Sequence, residues 1–214
     1  MNAVRIWFKK DKQSKYISHL DLNRVMQRAV NMAKLPIWYT QGFHPHPFIT
    51  FALPLSLGMS SVEDAVDMKF TQDIDKDYVI ESLNKALPEG IEILDITTPV
   101  MKPKEIEYAQ FDIDLYDDNK TSENLKECID NILSREEIIV KKKTKSGVKE
   151  IDIKPAIKRI QYKIKDDKKV NLDIVIKSGS NININPILLI RALNEYYSLS
   201  LIYEITRKRL LNKN

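Results

Sequence analysis

The chain has 214 residues, 43% of them hydrophobic and 30% charged, and a net charge of +4. That size allows one large domain or two small ones with real cores, and no apolar run nears the roughly 20 residues that cross a bilayer. The single cysteine, Cys128, excludes an internal disulfide and any multi-cysteine zinc or iron–sulfur site built by this chain alone.

The opening MNAVRIWFKKDK puts apolar residues before charges and has no long apolar core, so no signal peptide is expected. A reducing cytoplasm is the expected location. Residues 4–10 read as a short strand. Ser18 opens a helix with Asp21 three residues on, in the manner of a capping box. Leu22, Val25, Met26, Ala29, Val30 and Ala33 then form an apolar face of period 3.6, and Pro36 ends the helix. PIWYT and FITFALPL are strand-like and bracket the segment GFHPHP. EDAVDMKF (63–70) alternates as a strand, residues 75–88 form a second helix, and residues 91–100 form the last strand of this half.

After a polar connector at 101–107 the same order returns. YAQFDIDLYD is a strand and TSENLKECIDNILSRE a helix carrying Cys128, where a structural, unreactive thiol is expected. Two hairpins follow, one turning at Ser146-Gly147 and one near Asp166-Asp167. Asn185 and Pro186 open a helix as N-cap and first residue, and LIYEITRKRL closes the chain as a strand. The expected fold is α+β, a tandem of two ferredoxin-like domains with βαββαβ order, antiparallel sheets and helices on one face. Residues 1–100 would form the first domain and 101–214 the second.

Charge is uneven. Residues 1–100 hold 11 Lys/Arg against 12 Asp/Glu, whereas residues 141–169 hold 12 against 4. Lys141, Lys142, Lys143 and Lys145 cluster on the first hairpin, where they could form an arm on a phosphate backbone or a plain solvated surface. Arg24 and Arg28 are an i,i+4 pair on the first helix, near Lys15, His19 and Asp21. Two arginines near a helix start and a Gly–His–Pro loop suit a phosphate, and a solvated face is the plainer alternative.

All three histidines of the chain lie in the first half: His19 at the helix start, His44 and His46 in GFHPHP. Each of the latter two precedes a proline and is pushed to extended geometry, so both rings could face one surface. A fold that returns the helix start to this loop would gather all three. Such a group has three chemical readings. It could hold a metal, although no carboxylate completes the set. It could supply acid and base for RNA cleavage, or form a rigid loop that stacks rings on bases. Tyr39, Phe43, Phe48 and Phe51 interleave with it, and most of these rings are expected to be buried.

The stretch from SKYISHLDLNR through GFHPHPFITFALPLSLG to EDAVDMKF resembles the hallmark region of the radical SAM-associated (radical-SAM-linked) family of unknown function. The likeness runs on through ALPEGIEILD, KEIDIKPAI, NPILLIRAL and ITRKRLL, and so spans almost the whole chain. Members of that family stand alone or extend radical SAM proteins at their C-terminus, often encoded near a ribonuclease of the E/G type and ribosomal proteins. The resemblance implies work on transfer or ribosomal RNA beside a radical SAM protein. With one cysteine this chain lacks that chemistry's three-cysteine motif, so it would be the partner module.

The leading expectation is therefore a non-catalytic RNA-binding module without cofactor, metal or membrane attachment. Its site would comprise His19, Asp21, Arg24, Arg28, Gln41, Gly42, His44 and His46, with the lysine hairpin as an outer arm. The competing expectation is a metal-independent endoribonuclease of the CRISPR repeat-processing type, which shares the tandem plan. It would use His19, His44 or His46 as acid and base, with Lys15 or Arg24 on the oxyanion. A protein-interaction scaffold is the third.

Overall fold

The computed structural model describes residues 2–100, 102–144, 147–179 and 182–212. It is a mixed α/β fold, with four α-helices among the described residues and mostly antiparallel strand pairing. The chain divides into two units. Met1–Ile106 and Arg207–Asn212 form the first, and Glu107–Thr206 forms the second. No helix among the described residues is long and apolar enough to cross a membrane.

The first unit contains β1 (Asn2–Lys10), α1 (His19–Met32), β2 (Ile49–Phe51), β3 (Ser60–Phe70), α2 (Lys76–Ala86) and β4 (Ile91–Thr97). β1 lies between β4 and β3, and β2 pairs with β3 through Val66–Met68. Alternation along β1 and β3 turns Ile6, Phe8, Val66 and Met68 into a core shared with Leu22 and Met26 of α1 and Leu83 of α2. Both helices start where the sequence supplies a cap. The Ser18 hydroxyl accepts the Asp21 N–H at 3.1 Å, and the Asp75 carboxylate accepts the Tyr78 N–H at 2.9 Å. Gly90 enters β4 at φ +86°, with Asp11 O only 2.5 Å from where a Cβ would sit, so the position admits no side chain.

The second unit contains β5 (Tyr108–Tyr116), α3 (Ser122–Ser134), β6 (Ile139–Thr144), β7 (Gly147–Asp152), β8 (Ile157–Ile164), β9 (Lys169–Lys177), α4 (Ile187–Tyr197) and the opening residues of β10 (Ile202–Leu211). β9 lies between β5 and β8, β10 neighbours β5, and β6 and β7 form a separate two-stranded ribbon. α4 starts one residue later than the Asn–Pro signal implies, but the Asn185 carboxamide still accepts the Ile187 N–H at 3.0 Å.

Two expected strands of the first half are cut back. PIWYT forms no strand, only the isolated bridges Ile37–Phe70 and Tyr39–Pro47, and FITFALPL keeps only Ile49–Phe51. Prolines at 36, 47 and 54 remove ladder donors on either side.

β10 neighbours β3 in the first unit, and from Arg207 on it belongs to that unit. Arg207 is fully buried. Its Nη2 donates to both Asp64 carboxylate oxygens, at 2.6 and 2.7 Å, and to Leu53 O at 2.8 Å. Its Nη1 donates to Pro54 O at 3.3 Å. A second buried arginine, Arg5, meets Asp67 across β1–β3 through Nε and Nη2 at 2.7 and 2.9 Å. Removing one partner of a buried pair strands the other charge, at a cost of about 3–5 kcal/mol. Arg207→Met should therefore lose about that much stability in urea denaturation, and Arg207→Met with Asp64→Leu should lose clearly less. A double variant no more stable than the single one would show that the pair's charges are not the constraint.

Candidate functional site

GFHPHP is carried on a short hydrogen-bonded stem. Trp38 N donates to Lys69 O at 2.8 Å and Phe48 N to Trp38 O at 2.9 Å, which ties both arms to the edge of β3. Closer to the tip, Thr40 N donates to His46 O at 2.9 Å, and His46 N donates to the Thr40 hydroxyl at 3.2 Å. Gln41, Gly42, Phe43, His44, Pro45 and His46 are all exposed. Gly42, at φ +135°, reverses the chain where a side chain would be strained. The expectation of mostly buried rings fails here. Phe43 is 102% exposed and Tyr39 44%. Phe48 is half-buried beside Trp38, and the Lys69 ammonium lies 4.5 and 5.2 Å from the two ring centres.

The loop base is joined to α1. The Tyr39 hydroxyl donates to the Asn31 carboxamide oxygen at 3.0 Å. Counting back from Asn31 by helical spacing, Arg28, Arg24 and Asp21 fall on one stripe. All three are exposed. Arg24 Nη1 meets Asp21 Oδ1 at 2.9 Å, and the Ser18 hydroxyl donates to the same carboxylate at 2.7 Å. The Ser18 bond first, and Arg24 second, hold the Asp21 carboxyl below its usual range.

His19 lies elsewhere. Asn31 is twelve residues further along α1, about 18 Å at 1.5 Å per residue. The His19 ring meets Phe51 edge to face at 5.1 Å, and its Nδ1 is buried without a hydrogen-bond partner. Its charged neighbours are Lys10 and Asp64. Lys10 is buried and donates to Ile17 O at 3.1 Å. Burial lowers its ammonium pKa and Asp64 opposes the shift. Burial also pushes the Asp64 carboxyl up, against the pull of Arg207. A buried group of Lys10, Asp64 and Arg207 thus underlies His19, while His44 and His46 sit on the exposed loop near the other end of α1. Lys15 places its ammonium 5.3 Å over the Tyr16 ring. Among the described residues, no three His, Cys, Asp or Glu side chains group closely enough to hold a metal ion.

Lys10, Asp64 and Arg207 escaped the motif reading, but the signal was there. Each shares the alternation phase of buried apolar neighbours: Lys10 with Ile6 and Phe8, Asp64 with Val66 and Met68, and Arg207 with Ile205.

On the second unit's ribbon, Lys141 is exposed, and Lys142 is half-buried and donates to Asn183 O at 3.1 Å. Lys145 and the side chain of Lys143 lie outside the described residues. The β5–β9–β8 face holds an open groove of about 580 Å³ lined by Asp112, Arg159, Gln161, Lys163, Asn171 and Asp173. Four of its polar side chains are paired with one another. Arg159 meets Asp173 at 2.7 Å and Asn171 donates to Asp112 at 2.6 Å. Cys128 is half-buried on α3, and burial raises its thiol pKa, as suits an unreactive cysteine.

Both units are mixed α/β, and the first carries the exposed aromatic–histidine loop. The chain belongs to the family described as an uncharacterized protein conserved in bacteria (DUF2344), which residues 3–186 match. No curated protein matches the sequence. In fold it is similar to a chain in the crystal structure of a Cbf5-Nop10-Gar1 complex, with a TM-score of 0.58 at 10% identity. That match covers 99% of this chain and 50% of the other, so this chain spans about half its length. An unknown protein from Galdieria sulphuraria matches over 95% of this chain and 98% of its own, at 10% identity and a TM-score of 0.28.

Burial first, and Lys10 second, hold the His19 imidazole below its ordinary value of 6.5, against the pull of Asp64. The unfolded chain therefore binds this proton more readily than the folded one. The stability concerned is present above the ordinary value and is lost as pH falls from there through the folded one. In urea denaturation between about pH 8 and pH 5, His19→Gln should lose less stability on acidification than the wild type. An identical fall in both proteins would contradict this placement of His19.

Proposed function

We propose that the protein is a non-catalytic RNA-binding module that works beside a radical SAM protein, in the modification or maturation of transfer or ribosomal RNA. One observation carries the reading: six consecutive exposed residues, Gln41–His46, standing on a hydrogen-bonded stem beside the Arg24–Arg28 stripe. A loop already held in shape loses little entropy on binding. Rings and imidazoles stack on unpaired bases, and neighbouring arginines meet phosphates. The lysines of the β6–β7 ribbon add a second cationic element.

A binding role is favoured over cleavage by the spacing of the histidines. In-line cleavage needs acid and base on opposite sides of one phosphate, and the histidine outside the loop is about 18 Å along α1 from the loop's anchor. The radical SAM partner is inferred from the SHLDLNR and GFHPHP motifs, and the radical chemistry would belong to that partner. We also read each unit as ferredoxin-like. Support comes from the strand order β4-β1-β3-β2 in the first unit and β10-β5-β9-β8 in the second, with β6–β7 as an inserted ribbon.

The test is fluorescence anisotropy on structured RNA across a salt series. Affinity should fall by about 0.7 log units per phosphate contact per decade of salt. Lys141→Ala with Lys142→Ala should flatten that slope and leave the fold intact. Incubation with cellular RNA in chelator should yield no site-specific cuts. Undetectable affinity at low salt would sink the RNA reading, and cuts that vanish in His44→Ala would replace it with the nuclease. An unchanged slope would remove the ribbon from the interface.

A further inference from the structure

We infer that Phe43 is the stacking residue of this protein, taking the face of one unpaired RNA base, with Arg28 serving the phosphate beside it. The inference rests on the RNA reading and names the residue and the structural class of RNA it selects. Phe43 is 102% exposed, the most exposed of the large hydrophobic side chains among the described residues, in a unit whose core buries Phe8 and Phe70 completely. Its exposure is built into the backbone. Gly42 takes φ +135°, a conformation glycine reaches without strain. Pro45 disfavours the helical region at His44. The Thr40–His46 pair closes the loop below Phe43 with two hydrogen bonds.

The surroundings select the ligand. An apolar protein partner would meet a contiguous hydrophobic patch, yet the other tip residues are Gln41, Gly42, His44, Pro45 and His46. One isolated ring among imidazoles suits a base, whose two faces accept stacking whatever its identity. Tyr39 anchors the loop to Asn31 at 3.0 Å, and Arg28 lies one turn back on the same stripe of α1, exposed. Stacking needs a base that is not already paired, so the preferred RNA has an unpaired loop or bulge.

The experiment compares two labelled RNAs of equal length in anisotropy, a hairpin with an unpaired loop and a blunt duplex. The proteins are the wild type, Phe43→Ala and Phe43→Trp. Phe43→Ala should bind the hairpin about 5- to 100-fold more weakly, the loss of one stacked base, and should bind the duplex as the wild type does. Phe43→Trp should keep hairpin affinity, and its indole emission should be quenched by the hairpin and not by the duplex. Because the side chain is exposed, circular dichroism and melting should match the wild type in both variants. Wild-type hairpin affinity in Phe43→Ala, equal losses on both RNAs, or unquenched indole would each overturn the inference while leaving RNA binding in place. Absence of wild-type binding to either RNA would overturn the underlying RNA reading as well.

Discussion

The buried pair Asp64–Arg207 is the interaction on which the rest of the first unit depends. It joins residues 143 positions apart, and both side chains are out of water. A buried charge is tolerated only when paired and hydrogen-bonded, so the pair fixes its surroundings as well as itself. The same guanidinium binds the carbonyls of Leu53 and Pro54, which holds the chain just after β2. β2 in turn places Phe51 under His19 and continues back to the stem that lifts Phe43 into water.

The polar chemistry of the first unit is thereby split between two environments. Lys10, Asp64, Arg207 and the edge of His19 lie in the interior, and burial is the largest influence on the protonation of Lys10, Asp64 and His19. Gln41–His46 and the Arg24–Arg28 stripe lie in water, where charges are screened and contribute little to stability. The first group is suited to fixing the fold. The second group is positioned by that fold and holds the Phe43 ring and Arg28 exposed to water, while Arg24 is paired with Asp21.

Local signals in the sequence were legible because the physics behind them is local. Ser18, Asp75 and Thr121 cap the helices as their residue types imply, and the apolar period of α1 marks its buried face. The strand reading of PIWYT failed for another reason. Residue type favours a strand, but prolines leave too few donors to extend the bridge at Ile37. Phe43 looked like a core residue because composition cannot tell a buried ring from one carried outward by a glycine turn. Gathering the three histidines required knowing that the loop returns toward Asn31 and not to the helix start, which only long-range packing decides. The pairing of Asp64 with Arg207 is likewise invisible in either local segment, although the alternation phase of each residue marks it as inward-facing.

We propose the GFHPHP loop as the RNA-contacting surface. Ultraviolet crosslinking in cells that express the protein, followed by sequencing of the bound RNA and mass spectrometry of the crosslinked peptide, tests it directly. A defined set of structured RNAs is expected, with adducts on the peptide that contains Phe43 and His44. Recovery of no RNA above background, or adducts that avoid residues 41–46 altogether, would contradict it.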